Sequence, residues 1–301
     1  MIILANDGIA SGAKLELEAL GFTVDTDKYE GEALNKRIQE VECIIIRSAT
    51  KIRESLIDVA IGGKLKLMIR AGVGLDNIDV KYAESKGFVV RNTPTASSAA
   101  VAELAIAHMF SLARHIYISN VTMRNGEWNK KAYKGIELAG KTLGLIGFGR
   151  ISQEVAKKSM ALGMSVIYTD IMGASDALPE CKFVEFDELL AQSDFISLHI
   201  PFIPSVGVVL DDAEFAKMKD GVYLVDTARG KVVSEAALLK ALDSGKVAAA
   251  ALDVFEEEPT RNKAIYTHPK ISLTPHIGAA TAEAQDRIGE VTIQICKEVL
   301  L

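Results

Sequence analysis

The stretch KTLGLIGFGRISQEVAKKSMALGMSVIYTD, from Lys141 to Asp170, constrains this chain more than any other. Thr142 to Ile146 is a short apolar run without polar alternation, the mark of a parallel strand covered on both faces. It ends at Gly147-Phe148-Gly149-Arg150-Ile151-Ser152. A helical segment follows, with Ile151, Val155, Ala156 and Leu162 near one face and Gly163 at its close. Ser165 to Thr169 reads as a second strand, and Asp170 stands at its carboxyl end. This is the order of parts in a dinucleotide-binding βαβ unit.

Each part has its own physical reason. Gly147 permits the tight turn out of the strand, and Gly149 lets the backbone approach a pyrophosphate. A helix beginning near Arg150 offers free N–H groups and a positive dipole end to that anion. Asp170 can accept hydrogen bonds from both ribose hydroxyls and would repel a 2′-phosphate, so NAD is expected rather than NADP. Ser152 stands where a third glycine usually allows close helix–strand packing, and its hydroxymethyl group is a small intrusion. An isolated glycine motif is more simply an ordinary turn. Strand, helix, second strand and terminal Asp together favour the cofactor.

The remaining chain repeats the βα rhythm, which predicts an α/β fold of parallel sheets with helices on both faces. Strands are expected at Ile2–Ala5, Cys43–Ile46, Leu65–Ile69 and Phe88–Val90, with helices around Lys14–Leu20 and Arg53–Ala60. Further strands are expected at 195–199, 222–226, 248–254 and 271–274, a helix capped by Ser234 and ended by Gly245, and a terminal helix over 282–301. A chain of 301 residues suggests two domains. Asn92-Thr93-Pro94 punctuates it, so residues 1–93 with 281–301 are read as a substrate domain and 94–280 as an NAD-binding domain. An Ala-rich helix over Ser97–Ser119 is apolar around too wide an arc for a surface helix; burial between the domains and a homodimer interface are both open.

Bulk properties narrow the partners. A formal net charge of −6 argues against nucleic acid. Cys43, Cys181 and Cys296 are far apart and form no CxxC pair, which reads as reduced core residues in a cytoplasmic protein. No cluster has metal-ligand spacing, so no metal is expected. No stretch approaches 18 apolar residues and MIILANDG lacks a basic leader region, so no membrane span or signal peptide is expected.

Candidate chemistry gathers after predicted strands. Arg229 follows one and precedes a glycine, which puts a cation where open α/β sheets bind ligands; a surface salt bridge is the competing reading. A guanidinium there can grip a carboxylate bidentately. His276 follows another, and imidazole titrates near neutrality. A carboxylate from Glu256-Glu257-Glu258 could pair with that ring, fix its tautomer and raise its pKa; the other two read as a solvated loop. His108 and His115 read as packing or interface residues. His199 reads as a residue bordering the cofactor, and His268 as a loop residue.

RSAT (Arg47–Thr50), RAGVGLDNID (Arg70–Asp79), GFGRIS, DTARGKVV (Asp226–Val233), ALDVFEEEP (Ala251–Pro259) and TPHIGAAT (Thr274–Thr281) occur in this order across essentially the whole chain. In this it resembles the D-isomer-specific 2-hydroxyacid dehydrogenase family. The resemblance implies a Rossmann-type dinucleotide-binding domain inserted into a flavodoxin-like substrate domain. It also implies hydride transfer between a 2-hydroxy acid and NAD. On the family's pattern Glu258, directly before the proline, is the catalytic carboxylate, His276 the acid/base and Arg229 the substrate arginine. Cofactor contacts are implied at Val73, Gly147, Gly149, Arg150, Ile151, Asp170, Ile200, Thr227, Ala228, Asp253, Gly278 and Ala279, with Asp253 meeting the nicotinamide amide.

The substrate pocket is read from Arg47, Arg70, Gly72, Val73 and Gly74 together with Arg229 and His276. The glycine loop can present N–H groups to a carboxylate, and two further cations suit a second, phosphate anion. A phosphorylated substrate is therefore expected, and the resemblance of these arginines to those of family members that act on phosphoglycerate implies 3-phosphoglycerate; pairing of both arginines with acidic neighbours is the bland alternative. Rival readings are a glyoxylate or hydroxypyruvate reductase, an NAD-sensing binding protein and a nucleotide-fold methyltransferase.

Overall fold

The computed structural model describes all 301 residues. The elements in chain order are β1 (Ile2–Ala5), α1 (Ser11–Ala19), β2 (Thr23–Asp25), α2 (Gly31–Glu40), β3 (Cys43–Ile46), α3 (Glu54–Ala60), β4 (Leu67–Arg70), α4 (Val80–Ser85) and β5 (Val89–Asn92). Then come α5 (Ser98–Ala113), α6 (Ile116–Arg124), β6 (Thr142–Ile146), α7 (Arg150–Ala161), β7 (Ser165–Thr169), β8 (Lys182–Phe183), α8 (Phe186–Gln192), β9 (Phe195–Leu198) and α9 (Asp212–Lys217). The chain closes with β10 (Val222–Asp226), α10 (Glu235–Ser244), β11 (Val247–Leu252), α11 (Lys263–Tyr266), β12 (Ile271–Leu273) and α12 (Ala282–Leu300). They form two compact units, Met1–Ser98 with Ala279–Leu301, and Ala99–Gly278.

The first unit is a five-stranded parallel sheet in the order β2-β1-β3-β4-β5, the flavodoxin-like arrangement. β1 and β3 are apolar at every position, and β4 up to its terminal Arg70, because both faces are covered. Along β3, Cys43 and Ile45 pack into a core with Ala13, Leu17, Ile293 and Cys296 from α1 and α12. Ile44 and Ile46 face the other core, with Leu34, Ile38, Leu56 and Ile57 from α2 and α3. α12 lies on α1 so closely that a Cβ at Gly289 would come 2.7 Å from Cβ of Ala13.

The second unit is a seven-stranded parallel sheet in the order β12-β11-β10-β9-β6-β7-β8. The chain runs outward from β6 through β7 and β8, then restarts on its other side at β9. That reversal is the topological switch point at which doubly wound sheets bind ligands. One face packs on α8, α9 and α10, the other on α5 and α7. The register brings Ile146 level with Thr169 and Leu198, and Asp226 level with Leu198 and Leu252; Leu252 is level with Leu273. All the loops that leave these strands therefore start from one edge.

The α/β class and both sheet types are those the sequence predicts. The αβ signals around Lys141–Asp170 are met residue for residue at β6 and β7. Ser234 Oγ accepts from Ala237 N, and Gly245 closes α10 in the left-handed region (φ 80°). The expected single helix over Ser97–Ser119 is instead two. His115 adopts φ 54°, which stops the i to i−4 ladder between α5 and α6. The strands expected at Leu65–Ile69 and Phe88–Val90 lie one to two residues later; β2 and α2 carried too few apolar residues to be read, and α4 and α8 are too short to show a helical period. All three cysteines are buried and free, as expected.

Gly230 sets how two of the site's loops pack. A Cβ there would fall 1.8 Å from the carbonyl oxygen of Phe255 and 1.9 Å from its carbonyl carbon. Backbone cannot yield as a side chain can, so Gly230→Ala is expected to cost at least about 2 kcal/mol of unfolding free energy in denaturant melts. Gly149→Ala, whose added Cβ meets no heavy atom within 4 Å, should stay within about 0.5 kcal/mol of the parent.

Candidate active site

Three loops of the second unit carry the candidate chemistry. Arg229 lies three residues beyond β10, Glu258 six beyond β11, and His276 three beyond β12. His276 Nδ1 and Glu258 Oε2 are 2.6 Å apart, with side chains 29% and 35% exposed, so the pair is accessible to a ligand yet partly desolvated. Glu258 Oε1 also accepts from Phe255 N at 3.2 Å. Partial burial alone would raise the Glu258 carboxyl. The hydrogen bond and charge of His276, the Phe255 N–H and the nearby Arg229 outweigh that and hold it below its ordinary value. The guanidinium of Arg229 donates to Ala228 O at 2.6 Å.

Behind this group lie two buried carboxylates. Asp226, 1% exposed, accepts from Ala228 N at 2.8 Å. Burial pushes its pKa up to about 7, against the lowering effect of the Ala228 and Arg229 amides and the Arg229 charge. Asp253, also 1% exposed, accepts from Thr274 Oγ1 at 2.6 Å, Ile277 N at 2.8 Å and Gly278 N at 2.9 Å. Its two oxygens are thus engaged by the chain itself, which the sequence, read as pointing Asp253 at a nicotinamide amide, does not anticipate. Nor is Glu256 simply solvated. It and Glu235 exchange backbone-to-carboxylate bonds (2.9 and 3.0 Å) at the start of α10. Glu257 lies 3.8 Å from Arg261 at the surface.

The dinucleotide elements lie along the same edge. Gly147 has φ 87°, and a Cβ there would come 2.6 Å from Ile200 Cγ2 and 2.9 Å from His199 O. No side chain caps the start of α7, where Gly149 leaves open space in front of the Arg150 and Ile151 amides. Asp170 accepts from Phe148 N at 2.7 Å and Met172 N at 2.9 Å, which ties β7's end to the glycine turn. Thr227 Oγ1 is buried without a partner, a polar atom that a bound ligand could satisfy. A glycine cradle, an uncapped twelve-residue helix and a strand-end Asp fit a pyrophosphate and ribose. Ser152, in the third-glycine position, is fully buried and its hydroxyl has no partner. His199 is half-buried, desolvation pushes its pKa down to about 3, and its Nε2 lies 3.0 Å from Ser197 Oγ.

The candidate pocket residues of the first unit gather at their own sheet edge. Ile46 and Arg70 are register partners, so Arg47 and Arg70 leave neighbouring strands about one residue apart in level. Asp7 holds the Arg47–Thr50 loop, accepting from Arg47 N (2.7 Å), Thr50 N (3.0 Å), Thr50 Oγ1 (2.6 Å) and Lys28 Nζ (2.6 Å). Asn77 Nδ2 donates to Arg47 O and Thr50 O from the other side. In the glycine loop, Gly72 has φ 156°, and a Cβ there would overlap the Arg70 guanidinium. Asn92 Nδ2 donates to Val73 O at 2.6 Å, beside Gly74. Ala279 O accepts from Gln285 Nε2 at 2.7 Å. Asp7 and Asn77 were not singled out by sequence, although Asp7 follows a strand end as Asp170 does. No group of three or more His, Cys, Asp or Glu side chains could hold a metal, and no helix is long and apolar enough to cross a membrane.

Residues 106–278 match the family model "D-isomer specific 2-hydroxyacid dehydrogenase, NAD binding domain". A hydroxypyruvate reductase from Thermotoga maritima is 48% identical over 280 residues, which is 92% of this chain and 90% of that one. A D-3-phosphoglycerate dehydrogenase from Methanocaldococcus jannaschii is 41% identical over 302 residues, 99% of this chain and 57% of the relative. The chain spans about half the length of the phosphoglycerate dehydrogenases it matches. Among solved structures, a glyoxylate reductase from Paecilomyes thermophila superposes with a TM-score of 0.90 at 34% identity, covering 99% of this chain and 94% of that one.

Asp226 makes stability depend on pH. Its folded pKa of about 7 lies above the ordinary aspartate value of 3.8, so between these values the unfolded chain releases a proton that the folded one keeps. Stability should therefore fall as pH rises from about 4 to 7, by at most roughly 4 kcal/mol from this group. Asp226→Asn is expected to flatten that decline in thermal melts at pH 4.5 to 8.

Proposed function

The chain belongs to the D-isomer specific 2-hydroxyacid dehydrogenase family, and we propose that, as an NAD-dependent member, it oxidises D-3-phosphoglycerate to 3-phosphohydroxypyruvate in serine biosynthesis. NAD, when bound, supplies the hydride-accepting carbon. Arg229 grips the substrate carboxylate. His276 takes the carbinol hydroxyl proton at Nε2 in oxidation and returns it in reduction. Its Nδ1–H donates to Glu258, whose negative charge stabilises the imidazolium. The 2.6 Å His276–Glu258 pair, with Arg229 near enough to lower the Glu258 pKa, is the observation that carries this reading.

The phosphate preference is attributed to Arg47 and Arg70, with the Gly72-Val73-Gly74 amides as further donors. Support comes from two guanidiniums leaving adjacent parallel strands at nearly one level. Strand spacing of about 4.8 Å suits two donors to one dianion. Residues 94–280 are assigned to NAD binding and 1–93 with 281–301 to substrate binding. A homodimer is the proposed assembly, supported by the exposed Ile116, Val121, Met123 and Trp128, 51–78% accessible, on and after α6. It should run in light scattering at twice the 32.4 kDa chain mass.

A specific observation favours a second reading, hydroxypyruvate reduction. The Thermotoga maritima hydroxypyruvate reductase is matched along 90% of its length, the phosphoglycerate dehydrogenases along about half. The two readings share their chemistry and differ by a phosphate. The deciding measurement is kcat/KM for D-3-phosphoglycerate against D-glycerate, and for the two keto acids in reverse, in the parent and in Arg47→Ala and Arg70→Ala. Phosphate recognition predicts a KM rise of about 30-fold or more for the phosphorylated substrate, equivalent to about 2 kcal/mol, with glycerate changed less than about threefold. Equal effects on both would favour hydroxypyruvate. His276→Asn should lower kcat by roughly 10²–10⁴ with either substrate.

A further inference from the structure

His276 is one of two non-glycine residues with positive φ, at 52°, a conformation disfavoured for a side chain with a Cβ. Something must hold it there. His276 N donates to Thr274 O at 3.1 Å, and the next two amides, of Ile277 and Gly278, both donate to the carboxylate of Asp253. Gly278 leaves room for that carboxylate, since a Cβ there would lie 3.2 Å from Asp253 Oδ2 and 3.3 Å from Val101 Cγ2. The carboxylate is in turn oriented by the Thr274 hydroxyl, and Thr274 Oγ1 lies 3.0 Å from Nε2 of His108.

The proton positions in this chain follow from donor and acceptor capacity. A carboxylate only accepts, so the Thr274 hydroxyl proton points at Asp253. Thr274 Oγ1 is left as an acceptor for His108, which must carry its proton on Nε2. In the neutral ring Nδ1 is then an acceptor, facing Ser272 Oγ at 3.4 Å. His108 is 4% exposed, and burial lowers its pKa against the opposing charge of Asp253, which favours that neutral form. Donation thus runs one way, from His108 on α5 through Thr274 to Asp253, whose carboxylate also accepts from the two amides that follow His276.

We propose that Asp253, oriented by Thr274 and His108, is a positioning residue that fixes the backbone at His276 and through it the direction of the acid–base imidazole. This rests on the dehydrogenase reading of the site and adds to it. It assigns Asp253 a part within the protein, and draws Thr274 and His108 into the reaction without contact to substrate.

Thr274→Val tests it, because the substitution keeps the shape and removes the hydroxyl, while Thr274→Ser keeps the hydroxyl. The expected result is a fall in kcat of about tenfold or more in Thr274→Val with KM for NAD changed less than about threefold, and recovery in Thr274→Ser to within about threefold of the parent. A readout independent of turnover is the imidazole and amide ¹H–¹⁵N spectrum of the cofactor-free protein. The parent should show His108 as a neutral, slowly exchanging Nε2–H tautomer; in Thr274→Val that proton should exchange fast and the Ile277 and Gly278 amides should shift. Unchanged Ile277 and Gly278 amides in Thr274→Val would overturn the proposal, as would an Nδ1–H tautomer in the parent. Altered spectra with unaltered kcat would overturn the positioning of His276. If the parent oxidises no 2-hydroxy acid, the dehydrogenase reading falls, and with it the role proposed here. The spectra would then still show whether the His108–Thr274–Asp253 chain holds this backbone. Should Thr274→Val fail to fold, His108→Leu carries the same comparison, with His108→Gln, whose amide keeps one donor at the Nε2 position, in the place of Thr274→Ser.

Discussion

The architecture depends on one repeated interaction: a carboxylate at or near a strand end that collects amides of the loops leaving that edge of the sheet, most often the loop of another strand. A parallel strand releases its chain with unpaired N–H groups, and the loops at one edge of such a sheet must satisfy them without burying their own backbone. Asp7 does this for Arg47 and Thr50, Asp170 for Phe148 and Met172, Asp226 for Ala228, and Asp253 for Ile277 and Gly278. Each is a short side chain that cannot reach far, so each fixes a turn of only a few residues. The side chains that face a ligand are carried on those turns. Removing Asp7 or Asp253 costs more than one hydrogen bond, because it leaves at least two backbone donors unpaired.

This arrangement has an electrostatic price. Two of these carboxyl groups lie buried behind Arg229 and His276, and the charge of Asp253 adds to the cost of ionising Asp226. Asp226 meets it by keeping its proton up to about neutral pH, whereas Asp253 has three donors against its oxygens. The exposed Glu258 is different again: its negative charge is favoured by the groups it meets, which is what a partner for an imidazolium requires. Three carboxylates on neighbouring loops thus have three environments, set by burial and donor count.

Much of this was legible in the sequence because it is written in patterns that local physics enforces. Strands buried on both faces must be apolar throughout, so β3, β6, β7 and β10 announce themselves. The glycine turn and Asp170 follow from the shape of the ligand they would hold. Less legible were elements whose reason lies in distant contacts. β2 is a three-residue edge strand and α2 is mostly polar, so neither has a strong period. The break at His115 has no proline or glycine to mark it, and a left-handed residue within an Ala-rich run is a tertiary outcome. Glu256 looked like one of three equivalent acids until Glu235, twenty-one residues earlier, proved to be its partner. The part of Thr274 and His108 in holding Asp253 depends on residues 166 positions apart in the chain, which no local window contains.

The contact of Gly230 with the Phe255 backbone ties the turn bearing Arg229 to the loop bearing Glu258 at the level of main chain. Cation and carboxylate therefore behave as one mechanical part rather than two adjustable ones. Drift in either loop is transmitted to the other, so variation that tunes this enzyme for new substrates has little freedom here and must accumulate in turns that bear no such weld.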